Sequence, residues 1–378
     1  MAAGQREAVM DLTLHLTEAC NLRCRYCYHQ KSSKTMTAET LRSALALTGP
    51  SDRAAVYFFG GEPLLGRSLI LEAFAECDRI RRDTGRHFMF QMTTNGTLLD
   101  EEFLQIARER SMIIALSYDG LAQDRNRRTA GGEGTAALVE DKIPLLLQHL
   151  PYAPVMMTVS PACAGLLADS VRRFVEADGF RYILFNPAFG PGISWTETDL
   201  TVLAEQYRRL GDLYITWHRQ GRKVWLGPFE SKIDAHIHGV SVCARSCALG
   251  SHRLSVAADG SLYPCVQFVG DPAYRMGDVR SGVDEAARTR IQATQRPQAV
   301  CGACALRGRC RHSCGCLNKL TSGDPRVTGG EACAHERLLI AQADRIGETL
   351  YRGKNRLFLR RHYDETYPLV SLLEDLIT

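Results

Sequence analysis

The sequence predicts an α/β protein: a parallel sheet with helices between its strands, followed by a smaller cysteine-rich unit. Three observations carry this. Short β-like runs alternate with helical patterns between residues 10 and 225, cysteine density rises after residue 230, and the unusual residues of the first region recur immediately after its strands. At 378 residues the chain exceeds what one hydrophobic core usually serves, so one large and one small unit are expected.

The first run, 12–16, alternates as Leu12-Thr13-Leu14-His15-Leu16 and reads as a strand. A helix over 37–47 follows, capped by Thr37 with Glu39 in its first turn. Further strands are expected at 54–59, 87–92, 113–117, 155–159 and 182–186, with helices at 69–82, 101–110, 136–149, 166–177 and 199–219. Strand then helix, repeated, implies right-handed crossovers within a parallel sheet. These elements make a first domain of residues 1–230. Gly, Asp and Cys punctuation marks a second domain over 231–340, and 341–378 returns to a helical pattern, with Leu338, Leu339, Ala341, Ile346 and Leu350 on one approximate apolar face.

Net charge is +4, from 46 basic against 42 acidic residues, too slight an excess to argue for a nucleic-acid partner. The basic runs at 79–86 and 356–361 read as solvated helix ends. No stretch approaches the ~18 apolar residues of a membrane span, and the first ten residues lack a signal-peptide core, so a cytoplasmic protein without a membrane partner is expected. In a reducing compartment fourteen cysteines favour metal over disulfides. Eleven form two groups, Cys20 to Cys27 and Cys243 to Cys333, leaving Cys77, Cys163 and Cys316 outside the pattern.

The first group, Cys20-x3-Cys24-x2-Cys27, hangs from the end of the first strand. Three thiolates are one fewer than a [4Fe–4S] cluster normally takes, which leaves one iron open to a non-protein ligand. Gly60-Gly61-Glu62-Pro63 follows the second strand and Thr93-Thr94-Asn95-Gly96 the third. Ser117-Tyr118-Asp119-Gly120 and Asn186-Pro187 end the fourth and sixth. Singly each is an ordinary turn; together they point to one mouth at the strands' C-terminal ends.

The cysteine loop, the Gly-Gly-Glu-Pro turn and the six β/α units resemble the radical S-adenosylmethionine (SAM) enzymes, whose barrel is a partial (β/α)6 version of the TIM fold. The resemblance implies that Cys20, Cys24 and Cys27 hold a [4Fe–4S] cluster, that SAM chelates the open iron, and that one electron cleaves it to methionine and a 5′-deoxyadenosyl radical. It also implies SAM contacts from Tyr28, Gly60, Gly61, Glu62, Pro63, Asn95, Ser117, Arg127 and Asn186. Glu62 and the Gly60 and Gly61 carbonyls would accept from the ammonium, Ser117 would meet the ribose, and Arg127 would pair with the carboxylate. Many relatives have His where Gln123 stands.

The later cysteines resemble the SPASM domain found behind many radical SAM barrels. That likeness implies two auxiliary [4Fe–4S] clusters, three in all: an inner one on Cys243, Cys247, Cys265 and Cys314 and an outer one on Cys301, Cys304, Cys310 and Cys333. Cys316 is left over and interchangeable with Cys314. Structural zinc on the same thiols is the competing account.

Fully ligated auxiliary clusters accept electrons, so the resemblance implies net oxidation of a peptide or protein substrate, with flavodoxin or ferredoxin as reductant. Two subclasses compete. Sulfatase-maturing enzymes oxidise Cys or Ser to formylglycine, using an aspartate directly after the third inner ligand as proton acceptor. Here Val266 follows Cys265 and Gln267 is a poor base, which shifts the expectation toward enzymes that cross-link ribosomally made peptides by thioether, carbon–carbon or ether bonds. Candidate bases are Asp119, Tyr28 and His252. About ten residues precede the first strand, so leader recognition is expected from a separate small protein or from the cleft between the domains. A non-catalytic iron–sulfur carrier, which would not need the loops after strands 2, 3 and 4, is the alternative from another class.

Overall fold

The computed structural model describes residues 11–49, 52–239, 249–251, 253–295 and 298–377, so Cys243, Cys247 and His252 lie outside the described residues. All six expected strands form, with bounds within two residues of those read from the sequence. They are β1 (Asp11–Thr17), β2 (Arg53–Gly60), β3 (His87–Thr94), β4 (Ile113–Ser117), β5 (Val155–Val159) and β6 (Tyr182–Pro187). They pair in parallel and in chain order. Buried apolar faces on the helices, such as Phe103, Leu104 and Ala107 of Glu101–Glu109, cover this sheet with one core.

Three short strands extend it. β7 (Trp225–Leu226) pairs with β6, β8 (Arg253–Val256) pairs in parallel with β1, and β9 (Leu262–Tyr263) turns back antiparallel on β8. The cysteine-rich region thus adds directly to the barrel sheet. With β2 on one side and β8 on the other, β1 is an interior strand, and Leu12 to Thr17 are all buried despite the alternating Thr13 and His15.

The helix expected over 136–149 is two, Ala136–Glu140 and Ile143–His149, because Pro144 has no N–H for the preceding turn and is tolerated only at the second helix's start. The helix expected from 199 starts at Glu197, fixed by a capping box between Thr196 and Asp199. Both expected boundaries fall inside helices, 230 within Gly227–His238 and 340 within Gly330–Arg352. The C-terminal segment is three helices, Gly330–Arg352, Arg356–Tyr363 and Tyr367–Ile377. Among the described residues no helix is long and apolar enough to cross a membrane.

Gly330–Arg352 packs on Glu197–Arg219 and Gly227–His238, and buried ion pairs lock the contact. Glu336 meets Lys232 at 2.6 Å and Arg311 at 3.0 Å, while Glu230 meets Arg361 at 2.8 Å and His362 at 3.2 Å. Burial opposes both carboxylates, yet these cations outweigh it and hold each at about 2, against the ordinary 4.5. A depressed carboxyl stabilises fully above its unfolded pKa and loses that contribution as pH falls through the folded value. Each pair is therefore expected to supply on the order of 3 kcal/mol that disappears between about pH 5 and pH 2. Thermal melts across that range should show a steep fall in Tm, and Glu336→Gln should flatten the dependence.

Candidate active site

The cysteine loop leaves β1 at Thr17 and is closed at its neck by Glu18 N–H to Lys34 O and Met36 N–H to Leu16 O, both 2.8 Å. The turn after β2 is sewn to that neck: Gly61 N–H donates to Thr17 O (2.8 Å) and Glu62 N–H to Ala19 O (2.9 Å). This explains the two glycines. A Cβ on Gly60, whose φ is +129°, would lie 2.4 Å from Thr17 O, and one on Gly61 would lie 2.1 Å from Ala19 O. The close approach they permit is therefore to the loop's own backbone. Gly61→Ala is expected to push the loop off its neck, costing roughly 1–3 kcal/mol as overpacking does, and to lower iron incorporation, measured by thermal melting and iron analysis.

Two further segments hold the loop. After β3, Asn95 Nδ2 donates to Asn21 Oδ1 (2.8 Å), Asn21 Nδ2 donates to Thr97 Oγ1 (2.8 Å), and Asn95 Oδ1 accepts from Thr97 N–H (3.0 Å). After β4, the carbonyls of Arg128 and Asn126 accept from Arg23 N–H (2.7 Å) and Arg25 N–H (2.9 Å). Asn95 thus secures the loop, and Asn21 and Thr97 are functional residues that sequence reasoning missed, since nothing in their spacing signals the pairing.

Glu62 is buried and joins β2 to β3. Its Oε1 accepts from Thr94 Oγ1 (2.7 Å) and Leu64 N–H (3.1 Å), and Oε2 accepts from Asn95 N–H (2.8 Å). Burial raises its pKa against these hydrogen bonds, and one acceptor position of about four remains. Pro63 opens the 3-10 turn Pro63–Gly66 beneath Glu62 and does not line the cavity, contrary to its expected SAM contact. A proline at the first position of such a turn is fixed by its φ.

Asp119, one of the three candidate bases, is closely surrounded. It is fully buried, 3.2 Å from Arg127 Nε, and accepts from the Tyr26 hydroxyl, Asn126 Nδ2 (3.2 Å) and Thr158 N–H (2.9 Å). A carboxylate with four donors and no solvent is a structural counterion. Burial disfavours charge on Arg127, but Asp119, Tyr26 and Cys24 outweigh it and push its pKa up. Gln123 supports the same network, its Oε1 accepting from Asp119 N–H (2.9 Å) and its Nε2 donating to Thr135 Oγ1 (3.0 Å).

These loops enclose a cavity of about 430 Å³ lined by Cys20, Cys24, Cys27, Tyr28, Gly60, Gly61, Glu62, Asn95, Ser117, Arg127 and Asn186, so all but Pro63 of the residues expected there converge. Glu62 is the sole carboxylate among the described lining residues. Tyr28 is 38% exposed and stacks on His29 at 4.7 Å. His29 lies 5.1 Å from His15, and burial lowers both, to about 4 and about 3, so both imidazoles are neutral at pH 7. Lys31, donating to Leu22 O at 2.6 Å, lines the cavity too and was not anticipated.

The opposite wall comes from the cysteine-rich region, through Gln267, Arg311, Cys314, Cys316, Leu317 and Leu320. Cys314 and Cys316 are 3.4 Å apart at sulfur, and Cys265 lies beside them. Farther out, Arg337 lies near Cys333, Cys304 and Cys310, and Cys301 is 3.9 Å from Thr328 Oγ1. All these cysteines are free thiols. Three soft donors on one short loop, beside a carboxylate with one acceptor position left and a guanidinium, fit an iron–sulfur cluster with one corner left for an amino-acid ligand. Among the described residues no three Cys, His, Asp or Glu side chains are arranged to hold a single metal ion.

The profile of the Radical SAM superfamily matches residues 14–161. Over 332 residues the chain is 27% identical to a serine-type anaerobic sulfatase-maturating enzyme of Klebsiella aerogenes, spanning 82% of this chain and 80% of that one. Over 281 residues it is 25% identical to a cysteine-type anaerobic sulfatase-maturating enzyme of Clostridium perfringens, spanning 70% and 75%. The solved structure of native anSMEcpe with bound AdoMet and Cp18Cys peptide shares the fold, with a TM-score of 0.77 at 22% identity over 91% of this chain and 99% of that chain. Residues 14–161 are thus a Radical SAM domain, in an enzyme homologous along four-fifths of its length to the anaerobic sulfatase-maturating enzymes.

Proposed function

We propose that this enzyme is a maturase of the anaerobic sulfatase-maturating type, oxidising a Cys or Ser side chain of a peptide or protein to formylglycine. The observation that carries this is the homology to both serine-type and cysteine-type enzymes through the barrel and into the cysteine-rich region. It favours this reading over the cross-linking expected from Val266.

When bound, the cluster at Cys20, Cys24 and Cys27 supplies the electron that cleaves SAM to methionine and a 5′-deoxyadenosyl radical. The remaining lone pair of Glu62 and the Gly60 and Gly61 carbonyls accept from the SAM ammonium. Arg127 takes the carboxylate, held in place from behind by Asp119, and Ser117, Asn186 and the Tyr28 backbone meet the nucleoside. The substrate loses two hydrogens, one as an atom to the deoxyadenosyl radical, the other as a proton and an electron. Serine thereby becomes the aldehyde directly, whereas cysteine becomes a thioaldehyde that water converts to formylglycine with release of hydrogen sulfide. The later cysteines would hold auxiliary clusters able to accept that electron, and a flavodoxin or ferredoxin would serve as the external reductant. Three four-iron clusters correspond to about twelve irons per chain.

Val266 favours the second reading, peptide cross-linking, in which leader recognition falls to a separate protein or to the cleft between the two walls. Anaerobic incubation with SAM, dithionite and a Cys- or Ser-containing sulfatase peptide separates the two. Formylglycine, trapped with a hydrazine reagent, is expected. A peptide that has lost two hydrogens yet yields no aldehyde would instead establish ring closure.

A further inference from the structure

The cysteine loop is one half of a short antiparallel ladder. Leu22 pairs with Thr129, Arg23 N–H donates to Arg128 O at 2.7 Å, and Arg25 N–H donates to Asn126 O at 2.9 Å. Side chains alternate across such a ladder. Leu22, Cys24 and Arg127 line the cavity, which leaves Arg23, Arg25 and Arg128 exposed on the outer face, with Arg125 exposed beside them. One step along the register from Leu22 and Thr129, Arg23 stands directly opposite Arg128, and like charges so placed repel. The guanidiniums of this pair meet only neutral carbonyls. Arg23 Nη1 donates to Cys20 O (2.7 Å) and Leu22 O (2.9 Å), and Arg128 donates to Asp124 O (2.8 Å) and Gly132 O (3.3 Å). Among the described residues none of the four arginines forms an ion pair, although exposed arginines elsewhere, such as Arg42, Arg79 and Arg208, do. The carboxylates nearby are committed, Asp124 to the amides of Thr135 and Ala136 and Glu133 to the Thr129 hydroxyl.

We propose that this arginine face is the docking surface for an acidic one-electron carrier protein, which reduces the first cluster from outside the cavity. The proposal rests on the reading given above, in which an external reductant supplies that cluster. Each SAM cleaved takes one electron, and a carrier that delivers it leaves oxidised by one electron. The face has the position this requires. SAM and peptide occupy the cavity side of the ladder in that reading, while the arginines stand on the other side of the same short backbone that carries Cys24. A carrier rimmed with carboxylates is steered there by charge and brings neutralising groups to the opposed Arg23 and Arg128.

The test compares the full chain with Arg25→Glu/Arg125→Glu, two side chains without a hydrogen bond among the described residues, using reduced flavodoxin as the acidic carrier. Flavodoxin binding, read by calorimetry, is expected to weaken about tenfold, and flavodoxin-driven 5′-deoxyadenosine formation to fall with it. Dithionite-driven formation and the KM for peptide are expected to stay at the parent's values. Arg25→Gln/Arg125→Gln, which removes charge without reversing it, should show a smaller loss in the same direction, and added salt should weaken the parent's binding. Unchanged flavodoxin binding in the Glu variant would overturn the proposal, as would a parent that flavodoxin does not bind. A raised peptide KM with dithionite as reductant would assign the face to the substrate and overturn it too. A parent that forms no 5′-deoxyadenosine with dithionite would overturn the reading on which the proposal rests, and the proposal with it.

Discussion

Cys24→Ala is expected to reduce 5′-deoxyadenosine formation to background and to remove about four irons per chain, while the circular dichroism spectrum stays that of the parent. The loop's position does not depend on this thiol. Backbone hydrogen bonds at Thr17, Ala19, Arg128 and Asn126 and the Asn21–Asn95 pair hold it from three sides. Two remaining sulfurs cannot retain a cluster that already lacks a fourth protein ligand. Cys77→Ala provides the contrast. Cys77 is a buried core residue of Arg67–Thr84, where burial raises its thiol pKa, and its loss is expected to lower Tm with iron and nucleoside release unchanged.

The second large effect is expected at Asp119→Ala. Removing the carboxylate strands the buried Arg127 guanidinium, 7% exposed, with Tyr26, Asn126 and the Thr158 amide losing their acceptor. Breaking one side of a buried ion pair costs about 3–5 kcal/mol, which thermal or urea unfolding would register directly. Asp119→Asn keeps an acceptor oxygen but not the charge, so an intermediate loss is expected. If Asp119 were instead a proton acceptor, Asp119→Asn would leave stability intact and block product formation after SAM cleavage. The ratio of 5′-deoxyadenosine to oxidised peptide in the folded variant separates the two roles.

The barrel was legible because its signal is repetitive. Runs such as 113–117 and 155–159 coincide with β4 and β5 since apolar β-branched residues flanked by turn formers admit few other readings. The strands β7, β8 and β9 were not legible. At two to four residues they have no period, and only the sheet edges they join make them strands. The site was legible in its residue types and less so in its roles. Gly60 and Gly61 were read only for carbonyls that face a ligand, whereas their missing side chains make room for the cysteine loop. Asp119 was only one candidate base among three, because sequence shows a carboxylate at a strand end but not the burial, nor the arginine eight residues on that faces it. The Cys314–Cys316 contact, in contrast, follows from a spacing visible in the chain.

The parallel pairing of β8 with β1 bears on how the two halves of the enzyme communicate. The strand that delivers the first cysteine loop is the same strand to which the second lobe is stitched, Leu14 lying opposite Val256. No swivel can open between them without breaking that ladder. The distance from the first cysteine loop to the second lobe is thereby fixed by the pleat of a sheet, leaving the surrounding loops free to diversify without moving one against the other.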